Sequence, residues 1–390
     1  MNRRQFVAAL GAGSVVLGSN ARSFSDSVRR KLVAQHTVVA PATAKHPRND
    51  SASIVELKDG QLMGVWMEFV QSEHAGHDTG HNRIVSKISR DGGLTWKEHR
   101  VEAVPRPGDV NIYNPSLLRL KNGEILFSYL CYNELSWRKP LVSTGYMHRS
   151  RDPAAGFGEP EILWKRQPFQ SANNTLVQLS SGRLVRPVAK VPIWGGAEDN
   201  QQSSCMYSDD NGHTWHLPNN WIKLPLRGAM EGHIAETRSG ALLMALRTQL
   251  GSVFIARSDD GGYSWRKAQT SGLKSGESMP CLVTIPTTGD LLMIWNDSFY
   301  DPEFDHFGRR NPLTCAVSRD EGNTWEFRQN IKDDPEWEFS NTACNFTSTG
   351  KAIITYFSSK MENPNPPGRL ARTAMSLEAV IVDIDRFYQK

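Results

Sequence analysis

The stretch SIVELKDGQLMGVW (Ser53–Trp66) consists of two apolar runs joined by an Asp-Gly turn. A turn of this kind between apolar runs is a strong short-range signal for a β-hairpin. Five further segments have the same form, each with a glycine in its turn. They are SLLRLKNGEILFSYL (116–130), TLVQLSSGRLVRPV (175–188), HIAETRSGALLMAL (233–246), CLVTIPTTGDLLMIW (281–295) and ACNFTSTGKAIITYF (343–357). The sequence therefore predicts repeated hairpins.

The turn glycines recur about every 60 residues, which leaves room for two hairpins in each repeat. They are Gly60, Gly123, Gly182, Gly240, Gly289 and Gly350. Four antiparallel strands per repeat are typical of a propeller blade. The prediction is an all-β fold, a single six-bladed β-propeller over residues 35–390, in which LEAVIVDI (Leu377–Ile384) pairs with an N-terminal strand. The alternative, two stacked sandwiches, does not explain the even spacing.

Four polar octets follow the hairpins. They are SRDGGLTW (89–96), SDDNGHTW (208–215), SDDGGYSW (258–265) and SRDEGNTW (318–325), and SRDPAAGF (150–157) is a degenerate fifth copy. The aspartate can accept backbone N–H groups within a turn, the glycine supplies positive φ, and the tryptophan can bury its ring. A calcium or sugar loop would need more oxygen ligands than one octet offers. We therefore predict that each octet is the second turn of a blade.

These octets resemble the Asp-boxes of the bacterial neuraminidase-repeat group, whose best-known members are six-bladed exo-α-sialidases. The resemblance extends over essentially the whole chain after its leader. It implies a sialidase-like exo-glycoside hydrolase that acts on a terminal acidic sugar of a glycan, without a cofactor. Because proteins that are not sialidases share the box, a glycan-binding propeller without catalytic activity is the main alternative.

The entrances of the innermost strands are expected to meet at one face of the propeller, opposite the turns. The residues nine before each turn glycine, or ten before Gly289, are Ser51, Asn114, Asn173, Glu231, Met279 and Asn341. Only Glu231 is ionisable, and Arg247 is the only charged residue seven positions after a turn glycine. This pair predicts a site in which Asn114 and Asn173 also contact substrate. A structural ion pair that seals the channel is the other interpretation.

The resemblance to sialidases implies roles for particular residues. MEGHIAETRSGALLMALRT (230–248) is similar to the segment that carries the glutamate partner of the nucleophile, here Glu231, and the second arginine of a carboxylate-binding triad, here Arg247. Arg310 corresponds to the third arginine, with Arg309 as its rival. Arg48 is the candidate for the first, although the usual R-I-P context is absent. Guanidinium groups suit a carboxylate because they bind it bidentately and stay charged.

The loop SEHAGHDTGHNRI (72–84) is predicted at the same face. Asp78 resembles the acid–base aspartate of sialidases. The cluster of Asp78 with His74, His77 and His81 is also compatible with zinc or another transition metal, and hence with a metal-dependent hydrolase or lyase. A solvated polar loop without a catalytic role is the third interpretation.

The position of the nucleophilic tyrosine of sialidases is occupied by Phe339, in DPEWEFSNTA, and no tyrosine lies between Tyr300 and Tyr356. Three interpretations remain open. Tyr113 or Tyr300 acts as a surrogate nucleophile, Glu231 and Asp78 form a carboxylate pair with direct attack by water, or the protein binds acidic glycans without cleaving them.

The N-terminal stretch MNRRQFVAALGAGSVVLGSNA (1–21) resembles a twin-arginine export signal, so residues 1–30 are predicted to be a leader and the protein to be periplasmic or secreted. Its apolar run is too short for a membrane span. The net charge of +4 includes no basic block, which gives no support for a nucleic-acid partner. The five cysteines lack metal-binding spacing and are predicted to be buried free thiols. The sequence does not predict the oligomeric state.

Overall fold

The computed structural model describes residues 30–72, 74–363, 369–370 and 374–389. Within these ranges the chain forms β-strands, two short 3₁₀ turns and no α-helix, so none of the described segments is a helix long and apolar enough to cross a membrane. The predicted export leader, residues 1–30, lies outside the described residues except for Arg30.

The first three sheets follow one another along the chain after strand β1 (Gln35–Ala40), which joins the last sheet. Sheet 1 contains β2 (Arg48–Glu56), β3 (Leu62–Phe69), β4 (Asn82–Ser89) and β5 (Lys97–Ala103). Sheet 2 contains β6 (Asn111–Arg119), β7 (Ile125–Glu134), β8 (Val142–Ser150) and β9 (Glu161–Gln167). Sheet 3 contains β10 (Phe169–Gln170), β11 (Val177–Gln178), β12 (Leu184–Lys190) and β13 (Gln202–Ser208).

The remaining strands form three more sheets. Sheet 4 contains β14 (Met230–Glu236), β15 (Leu242–Arg247), β16 (Ser252–Ser258) and β17 (Gln269–Lys274). Sheet 5 contains β18 (Cys281–Thr284), β19 (Leu291–Asn296), β20 (Leu313–Ser318) and β21 (Glu326–Lys332), with a 3₁₀ turn (Asp305–Phe307) before β20. Sheet 6 contains β22 (Trp337–Phe346), β23 (Lys351–Asn363), β24 (Arg369–Leu370), β25 (Ser376–Asp383) and β1, and a 3₁₀ turn (Ile384–Tyr388) follows.

The sequence pattern explains the first hairpin of every sheet. All six predicted turn glycines have φ between 71° and 95°, which is the left-handed region that glycine enters without steric cost. The C-terminal stretch also behaves as predicted: β25 pairs antiparallel with β1, with Gln35 opposite Ile381 and Thr37 opposite Ala379. The N-terminal strand β1 is therefore the outer strand of the sheet formed by the C-terminal part of the chain.

Sheet 3 departs from the four-strand prediction. Its innermost position is split between β10 and β11, which both pair with β12. Between β13 and β14 the described chain makes isolated bridges in place of a fourth strand: Tyr207 with His216, Ser203 with Ile222 and Gln201 with Gly228. That outer segment contains Pro218 and Pro225, and proline cannot donate to a strand ladder.

Each sheet packs against the next, and the sixth packs against the first. β2 contacts both β6 and β22, β14 contacts β12 and β18, and β18 contacts β22. Between sheets 2 and 3, the N–H of Leu176 donates to Ser116 Oγ at 3.0 Å. Buried apolar clusters fill the spaces between neighbouring sheets. This all-β arrangement is consistent with a β-propeller. All five cysteines are buried and free, as predicted.

The four intact octets begin at the last residues of β4, β13, β16 and β20, and their polar side chains close the turn that follows. In the first copy, Gly93 N–H donates to Ser89 Oγ at 2.9 Å, and Ser89 Oγ donates to Asp91 Oδ1 at 2.8 Å. Asp91 also accepts from Thr95 N–H at 2.9 Å and from Thr95 Oγ1 at 2.6 Å. The other three copies repeat the same set of bonds. The octet is therefore a turn clasp.

Replacing Asp91 with alanine should lower the stability of the fold. The hydrogen bonds from Thr95 lower the pKa of Asp91 to about 2, from an ordinary value of 3.8. Because the folded-state pKa is depressed, this stabilisation is present above pH 4 or so and is lost as the pH falls towards 2. We expect Asp91→Ala to reduce the free energy of unfolding by about 1 kcal/mol at pH 7 and by less at pH 2.5.

Urea unfolding at both pH values measures this effect. Asp152→Ala is the matched control, because Asp152 lies in the degenerate copy, where its N–H donates to Ser150 Oγ and the aspartate-centred bonds are absent from the described contacts. Equal losses in the two variants, or a loss that does not shrink at low pH, would contradict the clasp.

Candidate active site

A cavity of about 960 Å³ opens where the six sheets meet, and none of the octet residues lines it. All six positions that the sequence places at the strand entrances contribute to its wall: Ser51, Asn114, Asn173, Glu231, Met279 and Asn341. The predicted site residues Arg48, Arg247, Arg310, Asp78 and Tyr113 line the same cavity. The repeat spacing therefore locates the cavity from sequence.

β-Bulges direct several of these side chains. The innermost strand shifts register after Asp50, Tyr113, Met230 and Ser340. The residue that follows each shift is not glycine, yet it has positive φ: Ser51 (55°), Asn114 (56°), Glu231 (43°) and Asn341 (53°). Strained left-handed residues at bulges re-aim a side chain and cluster at functional sites. Here a β-bulge with a left-handed residue occurs on four of the innermost strands around the cavity.

Arg48 lies at the start of β2 and is 6% exposed. Its Nε donates to Asp50 Oδ2 at 2.8 Å, its Nη1 donates to Asp78 Oδ1 at 3.0 Å, and its guanidinium stands 4.2 Å from the centre of the Phe69 ring. Asp50 is fully buried, and burial raises its pKa although Arg48 opposes the shift. Arg48 therefore ties the Asp78 loop to sheet 1.

Arg247 and Glu231 form a second charged group on sheet 4. Arg247 Nη1 donates to Glu231 Oε2 at 2.7 Å, and its Nη2 donates to Glu277 Oε1 at 2.6 Å. Glu277 is 1% exposed, and it also accepts from Arg227 Nη1 and from Gln249 Nε2. Burial opposes the shift, but Arg247 and Arg227 lower the pKa of Glu277. The arginine is therefore held between two carboxylates.

Arg310 precedes β20 and is 6% exposed. Its backbone N–H donates to Glu338 Oε2 at 3.1 Å, and its carbonyl accepts from the N–H of Phe339 at 2.9 Å. The rival residue Arg309 does not line the cavity; its guanidinium lies 5.2 Å from the centre of the Phe304 ring. Of the two neighbouring arginines, the structure brings Arg310 to the site.

Phe339 lies in the core and does not line the cavity. It is 3% exposed, and its ring packs edge-on against Tyr356 with 5.8 Å between centroids. Tyr356 in turn donates its hydroxyl to Glu378 Oε2 at 3.0 Å. Neither residue therefore presents a hydroxyl to the cavity.

Of the two predicted surrogate nucleophiles, the structure brings only Tyr113 to the cavity. Its hydroxyl donates to the carbonyl of Asp78 at 3.1 Å and lies 3.3 Å from Asp78 Oδ1. Burial, followed by the charge of Asp78, raises the pKa of Tyr113 well above 10, which makes it a poor nucleophile. The prediction for Tyr300 is wrong in geometry: Tyr300 is 41% exposed, stacks on Phe307 and does not line the cavity.

Each of the two predicted asparagines donates a hydrogen bond to a backbone carbonyl in another part of the fold. Asn114 Nδ2 donates to the carbonyl of Ser171, and Asn173 Nδ2 donates to the carbonyl of Ala52 at 2.8 Å. Asn173 Oδ1 is buried without a hydrogen-bond partner among the described residues. It is thus an acceptor that a ligand hydroxyl could satisfy.

The alternative metal site finds no support. His74 and His77 line the cavity with their ring centroids 6.3 Å apart, whereas His81 is exposed and does not line it. In the part of the chain that the structure describes, no group of three or more His, Cys, Asp or Glu side chains is arranged to hold a metal ion. The three histidines of this loop therefore do not surround a common metal position.

Comparison with known proteins gives a family and a fold. Residues 60–353 match the family model described as "BNR repeat-like domain". The chain belongs to this BNR repeat-like family. By sequence, it matches none of the curated proteins with which it was compared.

Three solved structures illustrate the fold of this BNR repeat-like protein. A protein of unknown function from Dyadobacter fermentans is 18% identical, with a TM-score of 0.67 over 90% of this chain and 98% of that one. The NanB sialidase of Streptococcus pneumoniae is 12% identical, with a TM-score of 0.69 over 90% and 71%. The sialidase of Trypanosoma rangeli is 15% identical, with a TM-score of 0.68 over 91% of this chain and 59% of that one. At such identities the likeness establishes the shared fold.

The predictions made from the repeat pattern of this BNR repeat-like chain did not include several residues of the cavity. Glu277, Arg227, Gln249 and His306 surround Arg247 but lie outside the strand-entrance positions. Glu277 is two residues before Met279, and Arg227 is four before Glu231, so a wider window before each innermost strand would have included both. His306 lies in the long connection between β19 and β20, which has no counterpart in the repeat, and the pattern contains no signal for it.

Proposed function

We propose that the protein is an exo-glycoside hydrolase that removes a terminal acidic sugar, sialic acid or a related carboxylated sugar, from a glycan. In this proposal the six sheets are the blades of one six-bladed propeller, and the protein acts after export through the twin-arginine pathway. One observation carries the proposal. Arg48 in β2, Arg247 in β15 and Arg310 before β20 line one cavity together with Asp78 and Glu231.

The arginines suit an anionic substrate. Guanidinium groups keep their charge when buried, and their planar donors match a carboxylate. Arg48 and Arg247 already contact protein carboxylates, which offset part of their charge and fix their orientation. A substrate carboxylate would then bind to pre-positioned donors at little entropic cost.

Water is the proposed nucleophile, because the described cavity offers no activated tyrosine at the Phe339 position. Glu231 would take a proton from the water molecule while the oxygen of the water forms the bond to the anomeric carbon. Asp78 would donate a proton to the leaving oxygen as the glycosidic bond breaks, giving the free sugar and a shortened glycan. Arg48 Nη1 contacts Asp78 Oδ1 at 3.0 Å, and a substrate carboxylate that binds Arg48 would compete with this contact and free Asp78 to face the leaving oxygen.

A second candidate function is binding of acidic glycans without cleavage. Two points favour it: Phe339 occupies the position that the resemblance to sialidases implies for the nucleophilic tyrosine, and Arg48 holds Asp78 at 3.0 Å. The arginine-lined cavity supports this function equally well, so only turnover separates the two.

The test is fluorophore release from 4-methylumbelliferyl glycosides of N-acetylneuraminic, glucuronic and galacturonic acids. We expect release from at least one of them by the wild-type protein and none after Arg247→Ala. Binding of the same sugars without release would favour the second candidate, and neither binding nor release would contradict both.

Replacing Phe339 with tyrosine should not create a sialidase, because the ring lies in the core of sheet 6. A hydroxyl placed there needs a partner, and its burial should cost about 1–3 kcal/mol of stability. The measurement is chemical unfolding together with hydrolysis of the sialic acid glycoside. Phe346→Tyr is the control, since Phe346 lies on the same strand and is only half-buried. A gain of sialidase activity in Phe339→Tyr would show that this position does reach the substrate.

A further inference from the structure

A pair of tryptophans extends the cavity away from the charged groups. Trp137 lies in the connection between β7 and β8, and Trp194 in the connection between β12 and β13; both line the cavity. Their rings meet edge to face, with 5.8 Å between centroids. Trp137 is 62% exposed although it lines a cavity. An indole left open to solvent at the wall of a binding cavity needs a reason beyond packing.

The local backbone fixes this ring in place. The two connections form a bridge in which Arg138 N–H donates to the Trp194 carbonyl and Trp194 N–H donates to the Lys139 carbonyl, both at 2.8 Å. The indole of Trp137 lies directly on Gly195, where a Cβ atom would stand only 2.1 Å from it. Only glycine leaves room for this contact, and φ at Gly195 is +77°. The exposed ring is therefore held, and most of it stays uncovered.

The tryptophan pair is also connected to the charged half of the cavity. Asp199 Oδ2 accepts from Gly195 N–H at 3.0 Å and from Arg227 Nη2 at 2.7 Å. Arg227 donates in turn to Glu277, the carboxylate that orients Arg247. A continuous series of hydrogen bonds thus sets the position of the aromatic surface relative to the arginine site.

The cavity is large enough for more than one sugar ring. Its volume of about 960 Å³ is at the upper end of the range of about 300–1,000 Å³ for ligand sites. The charged groups come from sheets 1, 4 and 5, whereas the aromatic surface comes from sheets 2 and 3. An acidic sugar bound at the arginines leaves the aromatic part of the cavity open.

We propose that Trp137, supported by Trp194 and Gly195, is a subsite for the neutral hexopyranose that precedes the terminal acidic sugar in the substrate. A pyranose presents one face of C–H bonds, which stacks on an exposed aromatic ring, while its hydroxyl groups remain in water. This inference rests on the proposed function for the identity of the acidic sugar, but the subsite itself requires no catalysis.

Calorimetric titration with 3′-sialyllactose, methyl sialoside and lactose, carried out in a Glu231→Gln background that is expected to bind without cleaving, tests the subsite. We expect Trp137→Ala to weaken binding of 3′-sialyllactose and of lactose by about tenfold or more and to leave methyl sialoside binding unchanged. Trp137→Phe should restore most of the loss. Tyr263→Ala is the matched control, because Tyr263 is a 45% exposed aromatic residue that does not line the cavity. Thermal unfolding of each variant confirms that it is folded.

The outcomes separate this inference from the proposed function. If lactose binding depends on Trp137 but the protein cleaves no acidic glycoside, the subsite is supported and the proposed hydrolase activity is contradicted. If the wild-type protein and Trp137→Ala cleave 3′-sialyllactose with the same KM, the proposed hydrolase activity is supported and the subsite is contradicted. A Glu231→Gln protein that binds 3′-sialyllactose no more tightly than methyl sialoside also overturns the subsite.

Discussion

Glu231→Gln should abolish glycoside hydrolysis while leaving substrate binding almost unchanged. Glutamine keeps an oxygen that can accept from Arg247 Nη1, the contact that Glu231 makes at 2.7 Å. It cannot take a proton from water, and general-base catalysis contributes about 10²–10⁴-fold to rate. We therefore expect kcat to fall about 1,000-fold and KM to stay within about twofold.

Steady-state kinetics on the best fluorogenic substrate measures this prediction. Glu236→Gln is the control on the same strand, since Glu236 lies at the far end of β14 and binds Ser180. If Glu231→Gln raised KM with kcat unchanged, Glu231 would be a binding residue, and the water-activation mechanism would be wrong.

Glu277→Gln should cause the largest loss of stability among changes in the cavity. Glu277 is 1% exposed and lies between the guanidinium groups of Arg247 and Arg227. Neutralising it leaves two partly buried arginines with fewer counter-charges, and removing one partner of a buried ion pair usually costs several kcal/mol. Arg247 keeps Glu231 and Arg227 keeps Asp199, so we expect a loss of about 2–4 kcal/mol at pH 7.

The pH dependence of this loss gives a second check. The two arginines lower the pKa of Glu277 below its ordinary value of 4.5, although burial opposes them. The stabilisation by Glu277 is therefore fully present above that value and is lost as the pH falls below it. Urea unfolding at pH 7 and pH 3.5 measures both effects. The control is Glu336→Gln, at an exposed pair with Lys360, which should cost less than about 1 kcal/mol. Equal losses in the two variants would mean that Glu277 does not hold the arginines.

The repeated features of the fold were predictable from sequence because each has a local physical cause. Gly60 and its five equivalents need positive φ in hairpin turns, and the octets carry their own hydrogen-bond partners. Counting back from those glycines also located the bulge residues, including Glu231. The prediction of a fourth strand at the outer edge of sheet 3 was wrong. Prolines in that segment prevent a regular strand, but they do not change the spacing of the turn glycines, so the repeat gave no sign of it.

The non-repeated parts of the cavity were not predictable in this way. Trp137, Trp194 and His306 lie in connections whose lengths and conformations do not repeat, and their positions depend on contacts between distant segments. The environment of Phe339 was also hidden. The resemblance to sialidases predicts that Phe339 stands in place of a tyrosine, but only the packing against Tyr356 shows that the ring points into the core.

The central claim is that the arginine-lined cavity recognises the carboxylate of a terminal sugar and that the protein cleaves the adjoining bond. The most direct measurement compares the rate of cleavage of an acidic fluorogenic glycoside with that of its carboxamide, which lacks only the charge. We predict that the acid is cleaved at least about 100-fold faster, because Arg48, Arg247 and Arg310 bind the charged group. Equal rates for acid and amide, or cleavage of neither compound, would contradict the account.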